Sequence, residues 1–298
     1  VPLLFDRLKP VGLTSAAIDW PCTGDSKSLG DNWPDMPKSL SHTSPRLREE
    51  LEKSGEAARF SAGGAAVHDE VWADTTVRIM RERKPNLMAL HLLQLDSTHH
   101  QHGPNTPQGR AAAATLDSLV GRVVQGVEAA GLKDKTTFFI VADHGFIGHS
   151  KSIRPNGILS KEGLITVEDG KIVSARAHVI SEGGIGMVYL TDPATRDEDR
   201  KTIHRLFENA EGVAAVIDPV DFPRHGLPRP EDHPGMADVI IAVKDGYGVA
   251  AAVTGDELVQ EHSQKGSHGY LSTEPKMNAL FVASGAGIKP GAKLPFIE

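Results

Sequence analysis

Residues Asn86–Leu95 (NLMALHLLQL) form an almost unbroken apolar run that ends at Asp96. Such a run predicts a strand buried on both faces, as in a parallel sheet covered by helices, rather than an antiparallel strand with one wet face. The next segments point to the same architecture. Thr106-Pro107 is a helix start with proline at its first position, and Leu116, Leu119, Val120, Val123 and Val127 follow at helical spacing up to a capping Gly131. Thr136–Ala142 (TTFFIVA) then reads as a strand, rich in β-branched and aromatic residues, that ends at Asp143. Strand, helix, strand in this order predicts a right-handed crossover unit.

Upstream, Thr14–Ile18 reads as a short strand and Val67–Lys84 as a helix stopped by Pro85; downstream, Asn278–Ala283 reads as a further sheet strand. Between Gly148 and Gln264 the character changes. Glu168-Asp169-Gly170 and Lys244-Asp245-Gly246 carry hairpin signals, Asp192–Asn209 reads as a polar helix, and Phe222–Pro234 as a proline-rich loop. The expected fold is therefore α/β: a mostly parallel sheet sandwiched by helices over residues 1–147 and 265–298, with a smaller α+β insertion or cap over 148–264.

Thirty-two basic against thirty-nine acidic residues give a net charge of -7, so no global positive field favours nucleic acid, and an anionic substrate needs a local source of positive charge. Histidine supplies a candidate source. There are 14 histidines and a single cysteine, Cys22, so a metal would be held by imidazole and carboxylate rather than by a set of thiolates. Zinc, manganese and iron all suit such donors. No stretch approaches the roughly 18 apolar residues of a membrane span, and no signal-peptide pattern opens the chain. Compartment and oligomeric state stay open.

Three constellations carry the chemistry. Asp96-Ser-Thr-His99-His100-Gln-His102-Gly103-Pro104 follows the first buried strand, at the edge where α/β sheets bind ligands. On a turn there, Asp96 and His100 can converge on one ion, with His99 and His102 as alternatives. Asp143-His144-Gly145-Phe146 follows the second strand, and its glycine permits a sharp bend that turns both side chains to one site. Gly266-Ser267-His268-Gly269-Tyr270 sets a histidine between glycines before a late strand. His91, inside the apolar run, reads as a core residue, while His149 and His262 lie near the constellations as candidate orienting partners.

The order D-x3-H-x2-GP, then DHG, then GSHGY resembles the alkaline phosphatase superfamily, in particular its type I phosphodiesterase/nucleotide pyrophosphatase branch. Gly12 to Trp20-Pro21, Arg154-Pro155-Asn156 and Ser181 to Tyr189 extend the similarity over nearly the whole chain. The resemblance implies a hydrolase of phosphodiesters or nucleotide pyrophosphates that uses two Zn2+ ions, other divalent metals being possible. It assigns Asp96, His100 and His268 to one ion and Asp143 and His144 to the second, with His99 and His262 as possible orienting neighbours. His99 departs from the family, which usually has glycine there. The implied partner is a small phosphate-ester or nucleotide substrate.

The family's Thr or Ser nucleophile, and one further aspartate ligand, belong to a segment preceding the Trp-Pro stretch that nothing before Trp20 matches. Thr14 and Ser15 read as strand residues, so the nucleophile is expected to be absent from these 298 residues and the chain to be incomplete. Two alternatives follow. One is a phosphonoacetate hydrolase-like enzyme that cleaves a carbon–phosphorus bond, with Lys151, Arg154 and Lys265 as candidate partners for the substrate carboxylate. The other is a truncated, non-catalytic metal-binding remnant.

Overall fold

The computed structural model of the protein describes residues 2–36, 40–255, 257–295 and 297. Two units emerge, Val1–Thr98 with Pro107–Phe139 and Val282–Glu298, and His99–Thr106 with Ile140–Phe281. Each has its own hydrophobic clusters.

In the first unit, helix α1 (Leu4–Leu8) precedes strands β1 (Ser15–Trp20) and β2 (Asp31–Pro34), helices α2 (Pro45–Ser54), α3 (Glu56–Ala62) and α4 (Ala65–Glu82), and strand β3 (Leu87–Leu90). The three strands form a parallel sheet in the order β2-β1-β3, with Ala17 opposite Asn32 on one side and Ala89 on the other. Alternation along β1 explains the burial of Ser15–Asp19. Ala16 and Ile18 join Trp33, Leu47, Leu51, Trp72 and Ile79 in one cluster, whereas Ala17 joins Phe5 and Ala89 in another. Helix α4, predicted from Val67, buries Val71, Trp72, Thr75, Thr76 and Ile79 at helical spacing.

The region after β3 departs from the sequence reading. The apolar run predicts strand up to Leu95 and a turn beyond it, but β3 stops at Leu90 and helix α5 runs over Gln94–His102. Asp69 is the physical reason. Buried on α4, its carboxylate accepts the backbone amides of Leu93 at 2.9 Å and Gln94 at 3.0 Å, two of the orphan donors that a helix start must satisfy. Burial holds the Asp69 pKa above its ordinary value, against the lowering pull of those two bonds. His91 consequently lies just past the strand end, half-buried, rather than inside the core. The following helix α6 (Pro107–Ala129) matches its signals, and Gly131 adopts the left-handed conformation, φ 71°, expected of a cap.

Strand β4 (Thr137–Val141) leads to the second unit, which contains β5 (Ile147–Ile153), α7 (Pro155–Lys161), β6 (Ile165–Glu168), β7 (Lys171–Ala175), β8 (Ala177–Ser181), β9 (Ile185–Leu190), α8 (Arg196–Phe207), β10 (Val213–Ile217) and β11 (Val239–Val243). After these come β12 (Gly246–Val249), β13 (Val259–Glu261) and β14 (Gly266–Ser267), and then β15 (Phe281–Gly285), which from Val282 onward belongs to the first unit. The crossover unit expected of β3, α6 and β4 does not form among the described residues, because β4 takes β15 as its partner while β3 pairs with β1 in another sheet. An antiparallel sheet runs β10-β11-β9-β8. All of β11 is buried, because Val239, Ile241 and Val243 face one cluster and Ile240 and Ala242 another.

The first hairpin is where its turn residues put it: β6 and β7 pair antiparallel around Asp169 and Gly170, both at positive φ. The second is not a hairpin. Both edges of β11 are already occupied by β10 and β9, so after the turn at Lys244–Gly246 strand β12 pairs in parallel with β5 instead. Among the described residues, no helix is long and apolar enough to cross a membrane.

Candidate metal centre

Strand pairing brings the second and third constellations together. Strand β5 begins just after Asp143-His144-Gly145-Phe146, and β14, just before His268, pairs antiparallel with its start, Ser267 opposite Ile147. The His144 and His268 rings stack, with centroids 3.8 Å apart and planes 15° from parallel. His100, from the C-terminal part of α5, lies 5.1 Å from His268. The Phe146 ring sits beside all three, 4.9 Å from His100, 5.6 Å from His268 and 6.1 Å from His144. Phe146 carried no chemical signal in the sequence; its part is to give these imidazoles an apolar wall.

Two of the imidazoles are held by backbone carbonyls. His100 Nδ1 lies 3.0 Å from Gly266 O and His144 Nδ1 lies 2.9 Å from Gly145 O. A carbonyl only accepts, so each Nδ1 carries the proton and donates it, leaving the Nε2 lone pair for a metal. Asp143 Oδ2 lies 3.3 Å from His144 Nε2, so this carboxylate and imidazole offer donors to one place. The Asp143 side chain is 71% exposed and His144 26%, which leaves the carboxylate open to solvent.

Helix α5 sets the geometry of the first constellation. Asp96 and His100 are one turn apart on it and share a face, both half-buried. His99, next in register, turns toward Phe146 at 5.1 Å, and His102 is exposed. The turn expected for this segment is thus a helix, which serves convergence equally well.

Within the second unit a cavity of about 290 Å3 adjoins these rings, lined by His100, His149, Ser181, Glu182, His262 and His268 among others. His149 and His262 lie 5.2 Å apart, and His262 Nδ1 accepts the Gln264 amide at 3.1 Å. Ser181 and Glu182 went unassigned in the sequence; the glycines that follow them were the available signal. Burial, reinforced by the neighbouring His262, His100 and Lys265, pushes the His149 pKa down from 6.5 to about 4. Between those values the unfolded chain takes up a proton that the folded chain refuses, so acidification through this window destabilises the fold. We expect unfolding free energy to fall by at most about 3 kcal/mol from this group as pH drops through that range. Urea melts of the protein and of His149→Gln, which should show a flatter pH slope, check this.

The remaining candidates are engaged elsewhere. Thr14 Oγ1 bonds Asn86 Oδ1 at 3.2 Å, and Ser15 is buried in β1 with its hydroxyl 3.5 Å from Ser28 O. Lys151 pairs with Glu211 at 3.5 Å, and Arg154 donates to the Thr254 carbonyl. Lys265 is exposed, its backbone amide bonded to His100 O.

Comparison with known proteins adds a family. Residues 2–271 match the model of the type I phosphodiesterase / nucleotide pyrophosphatase family. Ectonucleotide pyrophosphatase/phosphodiesterase family member 7 of Mus musculus is 22% identical over 250 residues, covering 81% of this chain and 53% of the relative. An uncharacterised pyrophosphatase/phosphodiesterase of Schizosaccharomyces pombe is 23% identical over 256 residues, 75% of this chain and 47% of its own length. The chain thus spans about half the length of these curated relatives. Among solved structures, an inactive form of murine ectonucleotide pyrophosphatase / phosphodiesterase 5 in complex with AMP superposes with TM-score 0.62 at 17% identity, over 95% of this chain and 63% of that one. Phosphonoacetate hydrolase from Sinorhizobium meliloti 1021, in complex with phosphonoacetate, gives TM-score 0.62 at 16% identity, over 98% and 70%. These likenesses establish the alkaline phosphatase-like α/β fold.

Proposed function

The chain belongs to the type I phosphodiesterase / nucleotide pyrophosphatase family, and on that premise we propose that it serves metal-dependent hydrolysis of phosphate esters, of the phosphodiester or nucleotide pyrophosphate type, with two zinc ions. In this reading Asp96, His100 and His268 hold one ion and Asp143 and His144 contribute to the other. The observation that carries it is the meeting of His100, His144 and His268 within one unit, with two of the rings anchored through Nδ1. That donor set of neutral imidazoles and carboxylates fits zinc.

Divalent ions bound there would neutralise charge on a phosphoryl group and polarise its oxygens. The chain's own residues supply the rest. The Gly266 and Gly145 carbonyls accept from Nδ1 of His100 and His144, so the orientation of each ring is set before any metal arrives. Phe146 keeps water from one side of the rings. The cavity beside His100 and His268 offers room for part of a substrate, and Ser181, Glu182 and His262 give it polar walls. Binding of AMP by the murine relative supports a nucleotide-type substrate.

The fold likeness to phosphonoacetate hydrolase favours a second reading, cleavage of a carbon–phosphorus bond. Against it, Lys151 and Arg154 already serve Glu211 and Thr254, leaving Lys265 as the remaining one of the three cations considered for a substrate carboxylate. A substrate panel separates the readings. No residue here matches the Thr or Ser nucleophile of the resembling enzymes, and Thr14 and Ser15 are engaged elsewhere. Water attacks in its place, so we expect slow release of nitrophenol from bis(4-nitrophenyl) phosphate, abolished by chelation and restored by zinc, and no release of acetate from phosphonoacetate. The reverse pattern would establish the second reading, and turnover unaffected by chelation would refute both.

A further inference from the structure

The first unit contains a separate set of metal-binding side chains. Its three strands are parallel, so their carboxyl ends share one edge, where open α/β sheets gather ligands. Each strand delivers one donor to that edge. Asp35 follows β2 directly, Asp19 is the penultimate residue of β1, and His91 follows β3 directly. One carboxylate oxygen from each aspartate and one ring nitrogen of His91 all lie within 4.8 Å of one another.

Asp19 anchors the group. Its side chain is 1% exposed, and its Oδ2 lies 3.0 Å from His91 Nδ1, which also lies 3.1 Å from the Asp19 carbonyl. The backbone is left-handed at Asp19, φ 53°, where the register of β1 against β2 slips between Ile18 and Trp20. A slip of this kind re-aims a side chain at a sheet edge, and the strain is held by the surrounding parallel strands.

We propose that Asp19, Asp35 and His91 bind a divalent transition metal of the zinc class. A divalent ion offsets two carboxylate charges at once, one of them on the buried Asp19. The imidazole selects against magnesium and calcium, which take oxygen donors, and for zinc, cobalt or manganese. Three donors from three strand ends leave positions on the ion for water or a ligand. This site involves none of the residues assigned to phosphate-ester hydrolysis, so it stands or falls separately from that function.

The test uses the full 298-residue chain carrying His100→Ala, His144→Ala and His268→Ala, which removes imidazole donors from the other site. Titration with Co2+, followed by calorimetry and visible absorption, should give one equivalent bound in this background. Adding Asp35→Asn or His91→Gln, both half-buried positions, should weaken binding at least tenfold while the melting temperature in EDTA changes little. Two variants are used so that failure of one to fold leaves the other to decide. No Co2+ uptake by the background, or uptake that neither substitution weakens, would overturn the proposal and leave Asp19 and His91 as a structural ion pair only.

Discussion

Replacing His268 with alanine is expected to lower zinc-dependent hydrolysis of bis(4-nitrophenyl) phosphate at least about a hundredfold, roughly 2.7 kcal/mol of transition-state stabilisation. His268 is the middle ring of the cluster, 3.8 Å from His144 and 5.1 Å from His100, so its loss opens a gap that neither neighbour can close. The side chain is half-buried and stacks on one ring, so thermal stability without metal should shift by only a few degrees. His102→Ala is the control. That residue is exposed at the end of the same helix that carries His100, and its removal should leave kcat/KM unchanged. Asp143→Asn extends the argument, since its exposed carboxylate can be neutralised at little cost to folding. If Asp143→Asn lowered stability and left turnover intact, the ion held by Asp143 would be structural and the assignment of Asp143 to the hydrolytic centre would fail.

The second large effect is expected from a residue with no side chain. Gly269→Ala should destabilise the protein by about 3 kcal/mol or more, because two independent penalties meet there. Gly269 sits at φ +69°, where an L side chain is strained, and a Cβ built on it would lie 1.7 Å from the Glu182 carbonyl oxygen. That contact is with backbone, so relief requires moving the Glu182–Gly184 segment. Gly184 N donates to His268 O at 2.9 Å, and a Cβ on Gly183 would already meet that same oxygen at 2.4 Å. Displacement would therefore pass straight to the histidine. A urea melt showing full stability, with hydrolysis also intact, would contradict this packing.

How much of this could be read in the sequence depended on whether the signal was local. Strand β1, helix α6 with its proline start and Gly131 cap, and the Asp169-Gly170 hairpin announce themselves in neighbouring residues and form much where expected, as does β4, although Phe139 and Val141 on it are exposed. The early end of β3 was hidden because its cause, the Asp69 carboxylate, comes from a helix more than twenty residues away. The failed hairpin at Lys244–Gly246 was hidden for a similar reason: turn residues tell nothing of whether the preceding strand has a free edge. In the site, the histidines were legible as types and in order. The carbonyls of Gly145 and Gly266 that orient them were not, since a backbone acceptor leaves no mark on composition. His91 reads as core only on a strand that runs past it, and β3 ends one residue before it.

The most direct measurement is zinc binding by the intact chain, counted by calorimetric titration and by metal analysis after dialysis. The same is done for a variant carrying His100→Ala and His268→Ala. The account predicts that the unaltered protein binds at least one equivalent of zinc more than the variant, at matched folding by circular dichroism. Equal zinc in the two proteins would contradict the assignment of these histidines as ligands.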